Sequence, residues 1–205
     1  RGLGDVYKRQ DLYYVYRNSP DELYLYFLNM GVYSLNLKTR SITKVIAPMS
    51  GEEQIRAMAR DAENRLWIAE DDLSYWDKNT QKLDRNLSTN YNATTRYMLT
   101  QDILRYEDDM IVGVRTNGLW IFRHQPENPE HYFKGERTTF EELNDKNISV
   151  LYEDHAKNIW IGTYDNGLYK CNLEKQEIHH YNKDNGLVHN SICCLLYTSD
   201  AADEL

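Results

Sequence analysis

The chain has 205 residues, a net charge of −8 and no Lys/Arg-rich block, which argues against a nucleic-acid partner. No apolar run reaches the roughly 18 residues that a membrane helix needs, so we expect no membrane contact within this segment. The three cysteines are odd in number and lack metal-type spacing, so no disulfide framework is expected.

The two ends of the chain fit none of the units described below. Residues 1–10 and residues 195–205 both resemble translated adapter sequence, and we expect both to be non-native tails. The domain is then predicted to span residues 11–194.

The first two predicted units begin near residue 12 and residue 55. Unit one, residues 12–46, contains the runs LYYVYR, LYLYF, VYSLNL and ITKVI, separated by polar turns. Runs rich in Tyr, Val and Ile between Asn, Asp and Gly turns are typical of β-strands. Unit two, residues 55–86, contains IRAMAR, LWIA, LSYW and KLDRN. IRAMAR also has helical propensity, but the repeat register favours a strand.

The next two units follow the same plan. Unit three, residues 97–134, has an ambiguous first strand within YMLTQDILRY, then MIVGV, LWIF and HYFK. Unit four, residues 148–181, reads ISVLYE, IWIGT, LYKCNL and IHHY between polar turns. Its dipeptide Asn166-Gly167 predicts a tight hairpin, because both residues tolerate φ > 0. A fifth unit starts at residue 192.

The units repeat at a regular interval. Their second strands are anchored at Tyr24, Trp67, Ile111 and Trp160, which are 43, 44 and 49 residues apart. A period of about 40 to 50 residues with four strands per unit is the signature of a β-propeller blade. The predicted fold is therefore all-β, a β-propeller fragment of about four consecutive four-stranded antiparallel blades in an open arc.

Topology locates a candidate binding surface. If the strands of each blade are labelled A to D, antiparallel connectivity places the B–C turns and the D–A connections on one rim. These turns vary between blades while WIGT and GLYK are framework, and loops on a rigid scaffold usually carry binding. The polar residues of this rim are Glu70, Asp71, Asp72, Arg115, Thr116, Asn117, Tyr164, Asp165, Asn166, Lys183, Asp184, Asn185 and His189. The predicted ligand-binding residues among them are Arg115, Asn117, Tyr164, Asp165 and Asn166.

Blade four carries a family resemblance. Its sequence NIWIGTYDNGLYKCNL, followed by DNGLVHNSI, resembles the two-component regulator propeller repeat. Blade two keeps Leu66-Trp67-Ile68 but has Ala69 in place of the glycine. The resemblance covers about residues 12–194 and is strongest in blade four.

The resemblance implies a function as well as a fold. Such propellers form the periplasmic sensor region of membrane-bound hybrid histidine kinases, which respond to breakdown products of polysaccharides. It therefore implies an oligosaccharide ligand, further propeller blades and a dimer partner in the parent protein. It implies no enzyme in this segment, although the parent protein would be a histidine kinase.

The residues leave other functions open. We find no catalytic constellation and no histidine spacing for zinc, so neither a cofactor nor a metal is expected. Asp61 and Asp154 are expected to cap turns, and Trp67 and Trp160 to pack between blades. One alternative is the propeller of a lyase or glycosidase, which would need paired carboxylates or a base with a charge-neutralising partner. The other is a plain protein-interaction scaffold.

Overall fold

The computed structural model describes residues 12–48, 54–70, 73–77, 82–84, 99–127 and 133–195. Within these ranges the chain forms four sheets, each of four strands that follow one another in sequence order. Blade one contains β1 (Leu12–Ser19), β2 (Glu22–Phe27), β3 (Gly31–Asn36) and β4 (Ile42–Ile46). Blade two contains β5 (Ala57–Arg60), β6 (Leu66–Ala69), β7 (Leu73–Asp77) and β8 (Lys82–Asp84). Blade three contains β9 (Thr100–Tyr106), β10 (Asp109–Val114), β11 (Gly118–His124) and β12 (Phe133–Arg137). Blade four contains β13 (Ile148–Glu153), β14 (Ile159–Thr163), β15 (Leu168–Asn172) and β16 (Glu177–Tyr181).

All neighbouring strands within a blade are antiparallel. The first strands of consecutive blades contact one another, β1 with β5, β5 with β9 and β9 with β13, so they form the inner side of an arc. The predicted all-β propeller segment of four antiparallel blades is confirmed.

The last strand of blade three differs from the prediction. The sequence placed it in HYFK, ending at residue 134, whereas β12 runs on to Arg137. Gly135 lies in this strand opposite Phe122 instead of in the connection that follows. A Cβ at Gly135 would come within 3.0 Å of the Phe122 ring, so the glycine leaves room for that aromatic side chain.

Each blade has two faces, and the apolar core of the structure lies where the faces of consecutive blades meet. We call the face toward the preceding blade the leading face and the face toward the following blade the trailing face. Three apolar clusters fill the spaces between consecutive blades. Between blades one and two the cluster includes Tyr24, Tyr26, Val32, Met58, Leu66 and Ile68. Between blades two and three it includes Ala59, Trp67, Leu73, Met110, Val112, Phe122 and Phe133. Between blades three and four it includes Ile111, Leu119, Leu151, Ile159, Ile161 and Tyr169.

A glycine in the second strand makes room for the strand that begins the next blade. A Cβ at Gly113 would lie 2.5 Å from the Cγ2 atom of Ile148, the first residue of β13. A Cβ at Gly162 would lie 2.8 Å from the Cγ2 atom of Ile192, whose backbone N–H donates to the carbonyl of Thr163 at 2.8 Å. Ile192 is therefore seated on blade four as Ile148 is seated on blade three.

The turn aspartate of blade two holds both its turn and a tryptophan. One oxygen of the Asp61 carboxylate accepts the backbone N–H groups of Glu63 and Arg65, at 3.0 and 2.9 Å. The other oxygen accepts the Arg65 Nε at 2.7 Å and the Trp67 Nε1 at 2.8 Å. Trp67 is fully buried and packs edge-on against Phe122 and Phe133 of blade three, with ring centroids 5.6 and 4.7 Å away. Trp67 therefore packs between blades, as predicted.

Blade four repeats the hydrogen bonds but not the burial. The Asp154 carboxylate accepts the N–H groups of Ala156 and Asn158 and, at 2.9 Å, the Trp160 Nε1. Trp160 is only half-buried and stacks on Tyr181 of its own blade, with centroids 6.0 Å apart. No further blade lies against this face among the described residues, so the packing of Trp160 between blades stays a prediction.

A partly buried carboxylate links the inner strands of blades three and four. Asp102 on β9 accepts the backbone N–H of Ile103 at 2.9 Å and that of Leu151 on β13 at 2.8 Å. Burial raises the pKa of Asp102 to about 6, and the two N–H donors only partly offset that rise. Tyr14 of blade one lies nearby, and burial together with the Asp102 charge raises the pKa of its hydroxyl to about 12.

The two tryptophans provide a matched stability test. We expect Trp67→Ala to lower the free energy of unfolding by about 3–5 kcal/mol, because it empties a fully buried aromatic site. Trp160→Ala should cost less than half as much, since part of its ring already contacts solvent. Urea denaturation at a concentration where the chain is monomeric measures both values, and equal costs would show that the two sites are equivalently packed.

Asp102 predicts a pH dependence of stability. Its folded-state pKa of about 6 lies above its ordinary value of 3.8, so its favourable contribution is present below 3.8 and is lost as pH rises through about 6. Relative to Asp102→Asn, which does not titrate, the wild type should lose on the order of 3 kcal/mol between about pH 4 and about pH 7. A difference between the two proteins that stays flat across this interval would contradict the assignment.

Candidate functional site

The rim predicted from topology is present in the structure. The D–A connection between blades three and four runs past the B–C turns of both blades. The backbone N–H of Gly118, in blade three, donates to the carbonyl of Lys146 at 3.1 Å. The N–H of Tyr164, in blade four, donates to the carbonyl of Asn147 at 3.0 Å. The connection therefore ties the two B–C turns together on one surface.

Arg115 and Tyr164 meet on this rim although they come from different blades. The guanidinium carbon of Arg115 lies 5.5 Å from the centroid of the Tyr164 ring. The Tyr164 hydroxyl donates to Oε1 of Gln101 at 3.0 Å. We call these three residues, Arg115, Tyr164 and Gln101, the rim platform.

The rim platform offers groups that can bind a ligand. Tyr164 is 39% exposed, and Arg115 is also exposed. Arg115 forms no ion pair with any carboxylate of the described residues. Since no hydrogen bond joins its guanidinium to another described residue either, its donors are available beside an exposed aromatic ring. Gln101 was missed by the sequence reading, because it lies at the start of β9 and not in a B–C turn.

Asn117 helps to hold the B–C turn of blade three. Its side-chain oxygen accepts a hydrogen bond from Arg137, and its backbone carbonyl accepts the Trp120 Nε1 at 3.1 Å. The Arg137 guanidinium in turn lies 5.4 Å from the centre of the Trp120 ring system. These contacts hold the B–C turn of blade three against its outermost strand.

Asp165 and Asn166 also take part in holding a turn. The Asp165 carboxylate accepts the side-chain N–H groups of Asn147 at 3.0 Å and of Asn166 at 2.7 Å. The side-chain oxygen of Asn166 accepts from Lys146 at 3.4 Å, and its backbone carbonyl contacts the His180 ring nitrogen. Asp165 remains exposed, so it can still face a ligand at the edge of the rim platform.

The glycine of this turn is required by close backbone packing. Gly167 has φ of 85°, and a Cβ there would lie 2.2 Å from the carbonyl oxygen of Tyr181. Its N–H donates to the carbonyl of Asn190 at 2.7 Å. The predicted Asn166-Gly167 turn thus determines the positions of Tyr164 and Asp165 on the rim.

The other rim residues are dispersed. Glu70 is buried and accepts the Ser74 hydroxyl at 3.1 Å, whereas Asp71 and Asp72 lie outside the described residues. Lys183, Asp184 and Asn185 form a 3₁₀ turn capped by Asn182. His189 accepts the N–H of Ser191 through its Nδ1 atom at 2.9 Å. Thr116 occupies the left-handed region with φ of 66°, which shapes the turn after Arg115.

A polar groove lies elsewhere on blade four. It has a volume of about 200 Å³ and contains none of the predicted site residues. Its lining includes Asn158, Lys170, Asn172, Lys175, Glu177 and His179. Several of these residues lie on the trailing face, near the rim opposite the rim platform.

No group of three or more His, Cys, Asp or Glu residues in the described part of the chain is arranged to hold a metal ion. None of the helices in the described ranges is long and apolar enough to cross a membrane. Cys171 is a buried free thiol, and burial raises its pKa to about 12.

Comparison with known proteins identifies the repeat. The family model described as two component regulator propeller matches residues 142–165. This range contains the end of the D–A connection, the IWIGT strand and both Tyr164 and Asp165. No curated protein sequence matches the chain.

Solved structures support the fold. The extracellular domain of a hybrid two-component system from B. thetaiotaomicron is 18% identical with a TM-score of 0.65, over 89% of this chain and 24% of that one. A catalytically inactive virginiamycin B lyase from Staphylococcus aureus, solved with quinupristin, is 10% identical with a TM-score of 0.59, over 85% and 56%. A protein of unknown function from Bacteroides caccae is 11% identical with a TM-score of 0.54, over 86% and 62%.

These likenesses are too distant in sequence to show more than the fold, and the chain spans about a quarter of the length of the B. thetaiotaomicron domain. The four blades are a β-propeller segment, and residues 142–165 within it match the two component regulator propeller model.

Proposed function

We propose that this chain is a ligand-sensing segment of the periplasmic sensor domain of a membrane-bound hybrid two-component system. Its ligand is an oligosaccharide, and the ligand binds at the rim platform. The matched repeat at residues 142–165 supports the sensor assignment, as does the fold shared with the extracellular domain from B. thetaiotaomicron.

The observation that carries the proposal is the meeting of Arg115 and Tyr164 across two blades. The exposed part of the Tyr164 ring offers apolar surface to the C–H groups of a sugar ring. The Arg115 guanidinium and the Gln101 amide offer hydrogen-bond donors and acceptors to sugar hydroxyls or to a sugar carboxylate. A few convergent polar groups beside an aromatic surface are how small-ligand sites gain specificity.

The location of the rim platform suggests how binding is transmitted. Arg115 belongs to blade three and Tyr164 to blade four, and both B–C turns are tied to the connection between the blades. A ligand that contacts both side chains binds more tightly to one relative placement of the two blades than to others. This difference in affinity shifts the population of the chain toward that placement. Further blades and a dimer partner in the parent protein carry that change toward the membrane.

This segment acts as a binding module and not as an enzyme in our proposal. Two acidic residues adjoin the rim platform in sequence, and both are engaged by hydrogen bonds. Asp165 accepts from Asn147 and Asn166, and Asp102 accepts the backbone N–H groups of Ile103 and Leu151. The likeness to the lyase is one of fold at 10% identity and does not favour lyase chemistry.

The proposal predicts a selective loss of binding. Neutral and uronic-acid-containing oligosaccharides are screened against the chain, and the best binder is titrated by calorimetry. Arg115→Ala and Tyr164→Ala should each weaken binding by about tenfold or more, since each removes about 1.4 kcal/mol or more of contact free energy. Their thermal stability should stay close to that of the wild type, because both side chains are exposed.

Lys175→Ala is the matched control, because it removes an exposed positive charge that lines the polar groove of blade four, away from the rim platform. It should leave binding unchanged. Loss of binding in this control, with normal binding in the two rim variants, would place the ligand in the groove and refute the rim platform as the site.

A further inference from the structure

The rim carries three Asn-Gly dipeptides, at residues 117–118, 166–167 and 185–186. The first two lie in the B–C turns of blades three and four, and the third lies in the connection that leaves blade four. An asparagine that precedes a glycine can react with its own backbone, because no Cβ keeps the glycine nitrogen away from the side-chain amide. The rim therefore holds three places at which the same modification can start.

Two of these dipeptides have the same local sequence. Residues 165–168 and residues 184–187 both read DNGL. In an unfolded chain the reactivity of the two asparagines is therefore expected to be closely similar. A difference between Asn166 and Asn185 in the native protein would come from the fold, so one dipeptide serves as the control for the other.

The fold engages the backbone nitrogen of two of the glycines. The N–H of Gly118 donates to the carbonyl of Lys146 at 3.1 Å. The N–H of Gly167 donates to the carbonyl of Asn190 at 2.7 Å. A Cβ at either glycine would lie 2.1 or 2.2 Å from a backbone carbonyl oxygen, so both turns are packed tightly against neighbouring chain. Attack by either nitrogen first requires its hydrogen bond to break.

The backbone nitrogen of Gly186 is open. This glycine follows the short 3₁₀ turn of residues 183–185, and its N–H donates to no atom of the described residues. A Cβ added to Gly186 would meet nothing within 4 Å. Asn185 is also exposed, so water can reach the site. Among the three dipeptides, the nitrogen that has to attack the side chain is therefore free only here.

The side-chain amides do not distinguish the three sites. At each one the side-chain oxygen of the asparagine already accepts a hydrogen bond. At Asn185 the donor is the backbone N–H of Asn182, at 2.6 Å, while Nδ2 donates to the carbonyl of His180 at 2.7 Å. A donor at Oδ1 stabilises the negative charge that develops there when a nitrogen attacks the amide carbon. Because all three sites have such a donor, the free nitrogen of Gly186 is what separates them.

The exposure of residues 185–186 does not arise from their place beside the last described blade. Lys146 and Asn190 hold equivalent places, because each accepts the N–H of the glycine in the preceding B–C turn. Counted back from them, residues 185–186 correspond to residues 141–142. Residues 141–142 are both exposed although blades three and four flank that connection. A following blade would leave residues 185–186 exposed in the same way.

We propose that Asn185 is a site of spontaneous deamidation in the folded protein. The backbone nitrogen of Gly186 bonds to the side-chain carbon Cγ of Asn185 and closes a cyclic imide. Nδ2 leaves as ammonia and takes up the proton that the glycine nitrogen gives up. One water molecule then opens the imide at either of its carbonyl carbons. The product is aspartate or isoaspartate at position 185, and the reaction needs no oxidant and no enzyme.

The product cannot keep the hydrogen bonds of the asparagine. A carboxylate has no N–H to donate to the carbonyl of His180, and isoaspartate also lengthens the main chain by one carbon. The same connection supplies the carbonyl of Asn190 to the N–H of Gly167. Deamidation is therefore a one-way change in the segment that anchors the B–C turn carrying Tyr164.

Timed incubation of the chain at neutral pH, followed by peptide mapping with mass spectrometry, measures conversion at each dipeptide. In the folded chain Asn185 should convert at least roughly tenfold faster than Asn166, which is the factor that one retained hydrogen bond contributes. Water labelled with heavy oxygen should leave its label in the product. Asn185→Gln should stop conversion at this position, because the longer side chain cyclises far more slowly. Circular dichroism verifies that the chain stays folded during the incubation.

The same incubation in concentrated urea removes the fold and is the control. Asn166 and Asn185 should convert at similar rates there, since their local sequences match. Equal conversion of the two in the folded chain would overturn the proposal, and so would an Asn185 that converts in urea but stays intact in the folded chain. A difference that persists unchanged in urea would show that the sequence, and not the free nitrogen of Gly186, sets the rate.

Discussion

The hydrogen bond between a turn aspartate and the indole six residues later underlies the rest of the structure. In blades two and four this carboxylate accepts the N–H groups of its own turn with one oxygen and a tryptophan Nε1 with the other. Burial alone would raise the pKa of Asp154, but the hydrogen bonds from Asn158 and Trp160 outweigh it and hold that pKa below its usual value. The carboxylate thus fixes the first hairpin and the direction of the aromatic ring with one side chain.

A fixed ring direction lets Trp67 fill the space between blades two and three, where Tyr24 and Ile111 hold the corresponding places in the other two interfaces. Trp67 meets Phe122 and Phe133 edge-on, and the apolar clusters between the other blades continue the same arrangement. Once the blades are stacked, the B–C turns of neighbours are held at a set distance. The contact between Arg115 and Tyr164 depends on that distance, so the candidate site is a consequence of packing far from it.

The sequence predicts the features that are local. The strand runs, the Asn166-Gly167 turn and the repeat interval follow from residue types and their spacing, and so does the rim on which the turns lie. The half-buried state of Trp160 does not follow, because burial depends on what stands on the other side of the ring. The Arg115–Tyr164 contact joins residues in different repeats and depends on the angle between blades. The hydrogen bond between Arg137 and Asn117 does not follow either, because Arg137 lies in the part of β12 that extends beyond the predicted strand.

The central claim is that ligand contact on the rim joins blades three and four. Amide hydrogen exchange of the chain, with and without a saturating oligosaccharide that binds it, tests this most directly because it reports every segment at once. Ligand binding should slow exchange in both B–C turns, residues 115–118 and 163–167, and in the connection between them. Slower exchange confined to residues 156–158 and 170–179, around the groove of blade four, would contradict it.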